Sequence, residues 1–279
     1  MPSDPRASLW SRLQAWEADR SLRTPAQWRR RGDVLDRLEG VGFQIDAPLF
    51  EHARALRDEL EDVHDAFCAA LRNAIREGRG ADALNALLDA SRIPAGDEYD
   101  ALDALLAEVL ALEAPPPGIA PRLPGMVFYQ PTPARHLFAL LRRLDLREGD
   151  VLLDLGAGLG HLPLLTAILT PAHGLGIELE PAYVACARRS AVTLALSRAE
   201  FIAADARAAD LSAGNVFYLY TPFTGAVLAG MLDVLARHAR RRPLRVVTLG
   251  PCTHEVAGVS WLRTDDTLRS DAPVLFRSL

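Results

Sequence analysis

The chain has 279 residues, nearly half of them apolar, with three cysteines and a formal net charge of −5, enough for about two domains of ordinary size and a substantial core. All 31 basic residues are arginine, which excludes a lysine general base or Schiff-base nucleophile. The mildly negative balance argues against a broad nucleic-acid footprint, and no apolar run approaches the ~20 residues of a membrane-spanning helix.

The N-terminal part reads as helical. Asp4-Pro5 and Thr24-Pro25 each place a capping side chain before a proline suited to the first helical position, and Gly40 can end the second helix. Over residues 46–77, Leu49, Ala53, Leu56, Leu60, Val63, Phe67, Leu71 and Ile75 recur at spacings of three and four, a stripe that needs another helix against it. Stretches 81–91 and 98–112 supply partners through Leu84, Leu87, Leu88, Leu102, Leu105, Leu106 and Val109. Trp10, Trp16 and Trp28, at helical spacing, read as core. His52 and His64 read as surface or capping groups, because no cysteine or carboxylate joins them at a ligand spacing, and no metal ligand is assigned. Cys68, Cys186 and Cys252, far apart and odd in number, suggest neither a disulfide framework nor a zinc site and read as small buried groups. The run Ala114-Pro-Pro-Pro-Gly-Ile-Ala-Pro-Arg-Leu-Pro-Gly125 breaks the helical pattern. The expected organisation is therefore an all-helical domain over 1–113, a Pro-rich linker over 114–125 and a second domain over 126–279. Two dense arginine runs, Arg29-Arg30-Arg31 and Arg237, Arg240, Arg241, Arg242 and Arg245, need placing; the second closes a predicted helix, where cations offset the helix dipole.

After the linker, Thr132-Pro133 caps a helix through Leu137, Phe138, Leu141 and Leu144. Val151-Leu-Leu-Asp-Leu-Gly-Ala-Gly-Leu-Gly-His161 then runs from an apolar strand into a glycine turn and a helix over 162–169. Gly156, Gly158 and Gly160 let a backbone approach a nucleotide-like ligand closely. The dinucleotide fingerprint G-x-G-x-x-G would require glycine at 161, where His161 stands. Asp154, at the strand end, would repel a pyrophosphate but attract the ammonium and sulfonium of S-adenosylmethionine (SAM). Gly174-Leu-Gly-Ile-Glu-Leu-Glu-Pro181 gives a second strand ending at Glu178, where a doubly wound sheet binds a ribose diol. Phe201-Ile-Ala-Ala-Asp-Ala206 gives a third ending near Asp205, suited to an adenine amino group. Further strands follow at 216–220 and 244–249, with closing segments at 259–262 and 274–277.

From about Phe128 onward, these elements resemble a class I, seven-strand SAM-dependent methyltransferase. The resemblance implies a Rossmann-like, doubly wound α/β sheet preceded by the helical domain, with S-adenosyl-L-methionine as cofactor. It implies that Asp154 holds the methionine amino group, that Glu178 and Asp205 serve ribose and adenine, and that the glycine turn lies against the methionine part. In such enzymes the segment before the first helix lies over the cofactor, which makes Tyr129, Gln130 and Thr132 candidate contacts. The fourth strand ends beside the transferred methyl, at Tyr220-Thr-Pro-Phe223. Base-amino methylating enzymes carry Asn/Asp-Pro-Pro-Tyr/Phe there. Tyr220 offers no amide or carboxylate oxygen to an exocyclic amine, so Tyr220 and Phe223 are assigned to an acceptor pocket of another kind. Tyr129, His136, His161, Tyr218 and Tyr220 are the available proton acceptors, with Tyr220 preferred. The Gly176-Ile-Glu-Leu-Glu-Pro181 strand end and the Pro-containing aromatic segment also resemble seven-strand protein-lysine methyltransferases. The expected protein is a cytoplasmic methyltransferase acting on a small-molecule or protein acceptor, with homodimerisation through the helical domain. A nucleic-acid methyltransferase and a non-catalytic SAM sensor or scaffold are the alternatives. The chain's opening, Met1-Pro-Ser-Asp-Pro-Arg6, lacks the basic-then-apolar layout of a signal peptide.

Overall fold

A computed structural model describes residues 5–41, 47–89, 98–113, 115, 129–221 and 223–279. The N-terminal helices are α1 (Pro5–Ala18), α2 (Trp28–Glu39), α3 (Ala47–Arg76), α4 (Gly80–Asp89) and α5 (Ala101–Val109), with two short 3-10 turns, Arg20–Arg23 and Pro25–Gln27, between the first two. Thr24-Pro25 starts one of those turns and not α2 itself. The Thr24 hydroxyl donates back to the Ser21 carbonyl (2.7 Å) and so makes no helix cap.

The sheet is built from β1 (Val151–Leu155), β2 (His173–Glu178), β3 (Ala199–Ala203), β4 (Val216–Tyr220), β5 (Arg245–Leu249), β6 (Leu262–Arg263) and β7 (Val274–Ser278). Helices α6 (Ala134–Leu144), α7 (His161–Leu169), α8 (Pro181–Thr193), α9 (Gly225–Ala239) and α10 (Cys252–Ala257) precede or connect its strands. The order is β3-β2-β1-β4-β5-β7-β6. β3, β2, β1, β4 and β5 run parallel, and β7 pairs antiparallel with both β5 and β6. The middle strands β1 and β4 are buried on both faces, as helices on each side of a parallel sheet require.

Strand alternation assigns the two faces. Leu153, Leu155, Phe217 and Leu219 point into a core shared with α9 and α10. Leu152, Val216 and Tyr218 point into a larger core that contains α6, α7 and α8, and also Cys68, Leu71, Ile75, Leu84, Leu102 and Leu106 of α3, α4 and α5. The helices before the sheet therefore contribute to the sheet's own core. Only the outer end, with Leu13, Trp16, Leu22, Val34 and Leu60, packs as a separate small cluster. The division placed at 114–125 lies outside the described residues except for Pro115.

Polar contacts reinforce this packing. Asp103 accepts from the Asp100 amide (2.7 Å) in the first turn of α5 and from the Ala134 amide (2.6 Å) in the first turn of α6. The Ser190 hydroxyl donates to the Ala111 carbonyl (2.9 Å), and the Arg76 Nε to the Thr193 carbonyl (2.8 Å).

The fold takes up the first arginine run and part of the second, while Arg237, Arg240 and Arg241 stand exposed. Arg31 is fully buried and donates to the Leu22 and Thr24 carbonyls. Arg30 pairs with Asp19 (2.7 Å), and Arg29 stacks on Trp28 beside Asp100. Arg242 donates to the Ser212 and Gly214 carbonyls, and Arg245 to the Leu144 carbonyl and Asp150. Trp16 and Trp28 are buried as expected, whereas Trp10 is exposed and lies against His52. All three cysteines are free and buried. Among the described residues no helix is long and apolar enough to cross a membrane.

Candidate functional site

The carboxyl ends of β1, β2, β3 and β4 gather most of the residues singled out from the sequence. Asp154 stands opposite Gly176 of β2 and Tyr218 of β4 in the ladder, so Asp154, Glu178, Tyr218 and Tyr220 share one face of the sheet. Two hydrogen bonds to the Ile177 carbonyl, from the Gly156 amide (2.8 Å) and the Ala157 amide (3.1 Å), tie the glycine turn to the end of β2. A third runs from the Gly158 amide to Glu178 Oε2 (2.9 Å), while Glu178 Oε1 accepts from the Glu180 amide (2.9 Å). The turn's central amide is thus already committed to a carboxylate. A loop that spends this amide on an acid and sits between two acids is a poor cradle for a phosphate and a good one for a cation.

Asp154 is buried and accepts no hydrogen bond from any described residue. Burial, and secondarily the charge of Glu178, pushes its carboxyl up to about 8. A cationic ligand atom at this position would relieve both costs. His161, in the first turn of α7, is pushed down to about 4 by burial and is neutral at physiological pH.

The three glycines of the turn have φ of +90°, +53° and +88° in order, a region that costs other residues. Close ligand approach, the reason offered by the sequence, is not what the surroundings of the last two reveal. A Cβ on Gly158 would lie 2.2 Å from the Tyr129 ring, and one on Gly160 would lie 2.5 Å from Phe201 and 2.9 Å from Ala187. Internal packing therefore demands glycine at both.

Tyr129 lies over the glycine turn, against the Tyr183 ring (5.2 Å between centroids) and 3.5 Å from His161 Nδ1. Thr132 does not cap α6. Its hydroxyl is buried and shares a 2.8 Å hydrogen bond with the Tyr218 hydroxyl, and Asp103 serves the helix end instead. Burial raises the Tyr218 phenol well above its ordinary range, which removes it from the proton acceptors. Asp205 is gripped by Arg207, whose Nε and Nη2 reach its two oxygens and hold its carboxyl below the usual range. The spacing of Asp205 gave no sign of this partner, although Arg207 stands only two residues on.

At the end of β4 the chain turns sharply. Thr221 has φ +37°, a costly conformation for a β-branched residue. It is held by donation to the Leu249 carbonyl (2.9 Å) and by acceptance from the Cys252 amide (3.3 Å). Tyr220 is half-buried on the Asp154 face. Phe223 is buried on the opposite side, in the core with α9 and α10. Its ring therefore supports the β4 end from behind and is not brought together with Tyr220; Pro222 lies outside the described residues.

No protein-family model matches the chain, and no curated protein matches it. Solved structures do. An RNA methyltransferase from Salinibacter ruber, in complex with S-adenosyl-L-homocysteine, is 28% identical over 53% of this chain and 92% of its own, with a TM-score of 0.43. A putative methyltransferase from Escherichia coli is 19% identical over 56% of this chain and 91% of its own, also at 0.43. A tRNA (uracil-54, C5)-methyltransferase from Pyrococcus abyssi is 19% identical over 55% of this chain and 40% of its own, at 0.39. The architecture stands on the strand order itself: five parallel strands ordered 3-2-1-4-5, an antiparallel seventh strand inserted beside the fifth, and a glycine turn after the first strand are the class I SAM-dependent methyltransferase fold.

Proposed function

We propose that the protein is a SAM-dependent methyltransferase. The observation that carries this reading is the buried Asp154, set between Glu178 and the glycine turn, whose charge calls for a cation. In this reading Asp154 receives the methionine ammonium. Glu178, with lone pairs left beyond its two backbone contacts, receives the ribose hydroxyls. The Asp205 and Arg207 pair borders the adenine. Tyr129 walls the cleft above the glycine turn, and Thr132 holds that segment down on Tyr218.

Bound SAM supplies a methyl already made electrophilic by its sulfonium. The protein's task is to align the acceptor and exclude water. Tyr220, on the Asp154 face, is the residue assigned to the acceptor; His161 is engaged with Tyr129, and Tyr218 with Thr132. A small-molecule or protein acceptor is favoured by the tyrosine at the head of the fourth-strand motif, and the pairing of Arg29, Arg30 and Arg31 within the fold supports it.

The test is transfer of a tritiated methyl from SAM by the purified chain into lysate of the source organism, with protein, nucleic-acid and small-molecule pools kept apart. Label in protein or in small molecules is expected, with Tyr220→Phe lowering turnover while SAM affinity stays nearly unchanged. Label in RNA or DNA would overturn the acceptor assignment. SAM binding without label in any pool would make the protein a sensor.

A further inference from the structure

Away from the cofactor cleft, three side chains of different chemistry converge between α3 and α5. His64 and Cys68 stand one turn apart on α3 and so share a face, and Glu108 reaches them from the last turn of α5. His64 Nε2 is 3.1 Å from Glu108 Oε2, and Cys68 Sγ is 3.7 Å from the same oxygen. All three donor atoms lie within 4.8 Å of one another. The separation of four residues on a helix is a ligand spacing after all, and the carboxylate arrives from a helix forty residues away in sequence, where no local pattern announces it.

We infer that His64, Cys68 and Glu108 bind a divalent transition metal of the zinc class. Tetrahedral zinc with bonds of ~2.0–2.3 Å to nitrogen, oxygen and sulfur has ligand-to-ligand edges of roughly 3.3 Å (nitrogen to oxygen) and 3.5 Å (sulfur to oxygen). The two corresponding distances in the structure, 3.1 Å and 3.7 Å, each lie close to those values. Imidazole, thiolate and carboxylate together favour zinc over calcium or magnesium, which take all-oxygen sets.

The layout also provides rigidity and access. Both α3 ligands sit on a continuous helix, and Arg72, one turn beyond Cys68, donates to the Glu108 carbonyl (2.9 Å), fixing the end of α5 against α3. Cys68 forms the buried floor, whereas the Glu108 side chain is 48% exposed, leaving an approach and a fourth position on the solvent side. Arg31 acts electrostatically on Cys68 from within the core, and Arg72 acts on Glu108, so a cation borders each of the two ligands that carry negative charge in a metal complex. Bound metal would clamp α3 to α5, the pair linking the outer helical cluster to the sheet.

The test is a cobalt(II) titration of the reduced, chelator-stripped full chain. One equivalent is expected to give ligand-field bands of tetrahedral intensity with a thiolate-to-cobalt charge-transfer band, both removed by zinc. Cys68→Ser should abolish the charge-transfer band, whereas Cys186→Ser and Cys252→Ser keep it. Glu108→Gln, at an exposed position that does not threaten folding, should weaken cobalt binding at least tenfold and remove the zinc-induced rise in melting temperature seen in the parent. Absence of a charge-transfer band in the parent, its survival in Cys68→Ser, or unchanged affinity in Glu108→Gln would each overturn the inference.

Discussion

Asp154 is costly to the fold and is the residue proposed to receive the ligand's ammonium. Its carboxyl is raised in the folded chain to about 8 from an ordinary value near 3.8, so the folded state binds the extra proton between those values. Its destabilising effect is absent below the lower value, grows as pH rises, and is complete above the upper one. Asp154→Asn should therefore stabilise the ligand-free chain, with an advantage that widens from pH 5 to pH 8 by at most about 1.4 kcal/mol per pH unit and is constant above that. Urea unfolding at several pH values measures it; a flat difference would mean that the carboxylate is not desolvated. The same substitution should weaken SAM binding at pH 8 by about 10- to 150-fold, the equivalent of a charge-assisted hydrogen bond of ~1.5–3 kcal/mol. Calorimetry that finds equal affinity removes Asp154 from the site. Its placement was legible in the sequence because a carboxylate at a strand end before a glycine turn is a local pattern. The Arg207 grip on Asp205 and the bond between Thr132 and Tyr218 were not, since each depends on side-chain geometry that spacing does not encode.

The turn between β1 and α7 shows the same division at the level of an element. Its position and its positive-φ glycines follow from the sequence, but the reason for Gly160 lies in β3 and α8. Gly160→Ala combines a left-handed backbone, costing about 1–2 kcal/mol, with a methyl 2.5 Å from Phe201, so a total loss of about 2–4 kcal/mol is expected. If packing is the cause, Phe201→Leu in the same chain should recover about 1 kcal/mol of that loss in a double-mutant cycle. Strict additivity would instead return the glycine to a ligand-contact role. Tyr220 and Phe223 look like neighbours in one motif, yet Tyr220 packs against the core of α6, α7 and α8 and Phe223 is buried in that of α9 and α10. Helix boundaries were legible where the apolar stripe was long, as over Ala47–Arg76, and less so where a cap is supplied from far away, as Asp103 supplies that of α6.

The whole molecule departs most from its expected plan in how its core divides. Composition places a proline-rich break at 114–125 and invites a two-domain picture, but the apolar stripe of α3, with α4 and α5, is spent on the same core as α6, α7 and α8. At the start of α4 the fit is close enough that a Cβ on Gly80 would stand 2.9 Å from Ile168 of α7. A fragment comprising residues 126–279 would uncover the faces of α6 and α7 that carry Leu137, Leu141, Leu164 and Ile168 and would lose the Asp103 cap of α6. At ~25 cal/mol per Å² of apolar surface returned to water, uncovering several hundred Å² costs as much as the whole stability of an ordinary domain. The fragment is therefore expected to aggregate, or to lose cooperative thermal unfolding, and to bind SAM far more weakly than the full chain. A monomeric fragment that melts cooperatively and binds SAM with the parent's affinity would instead show that the N-terminal helices are a separable accessory. Their task would then have to be sought in the acceptor and not in the fold.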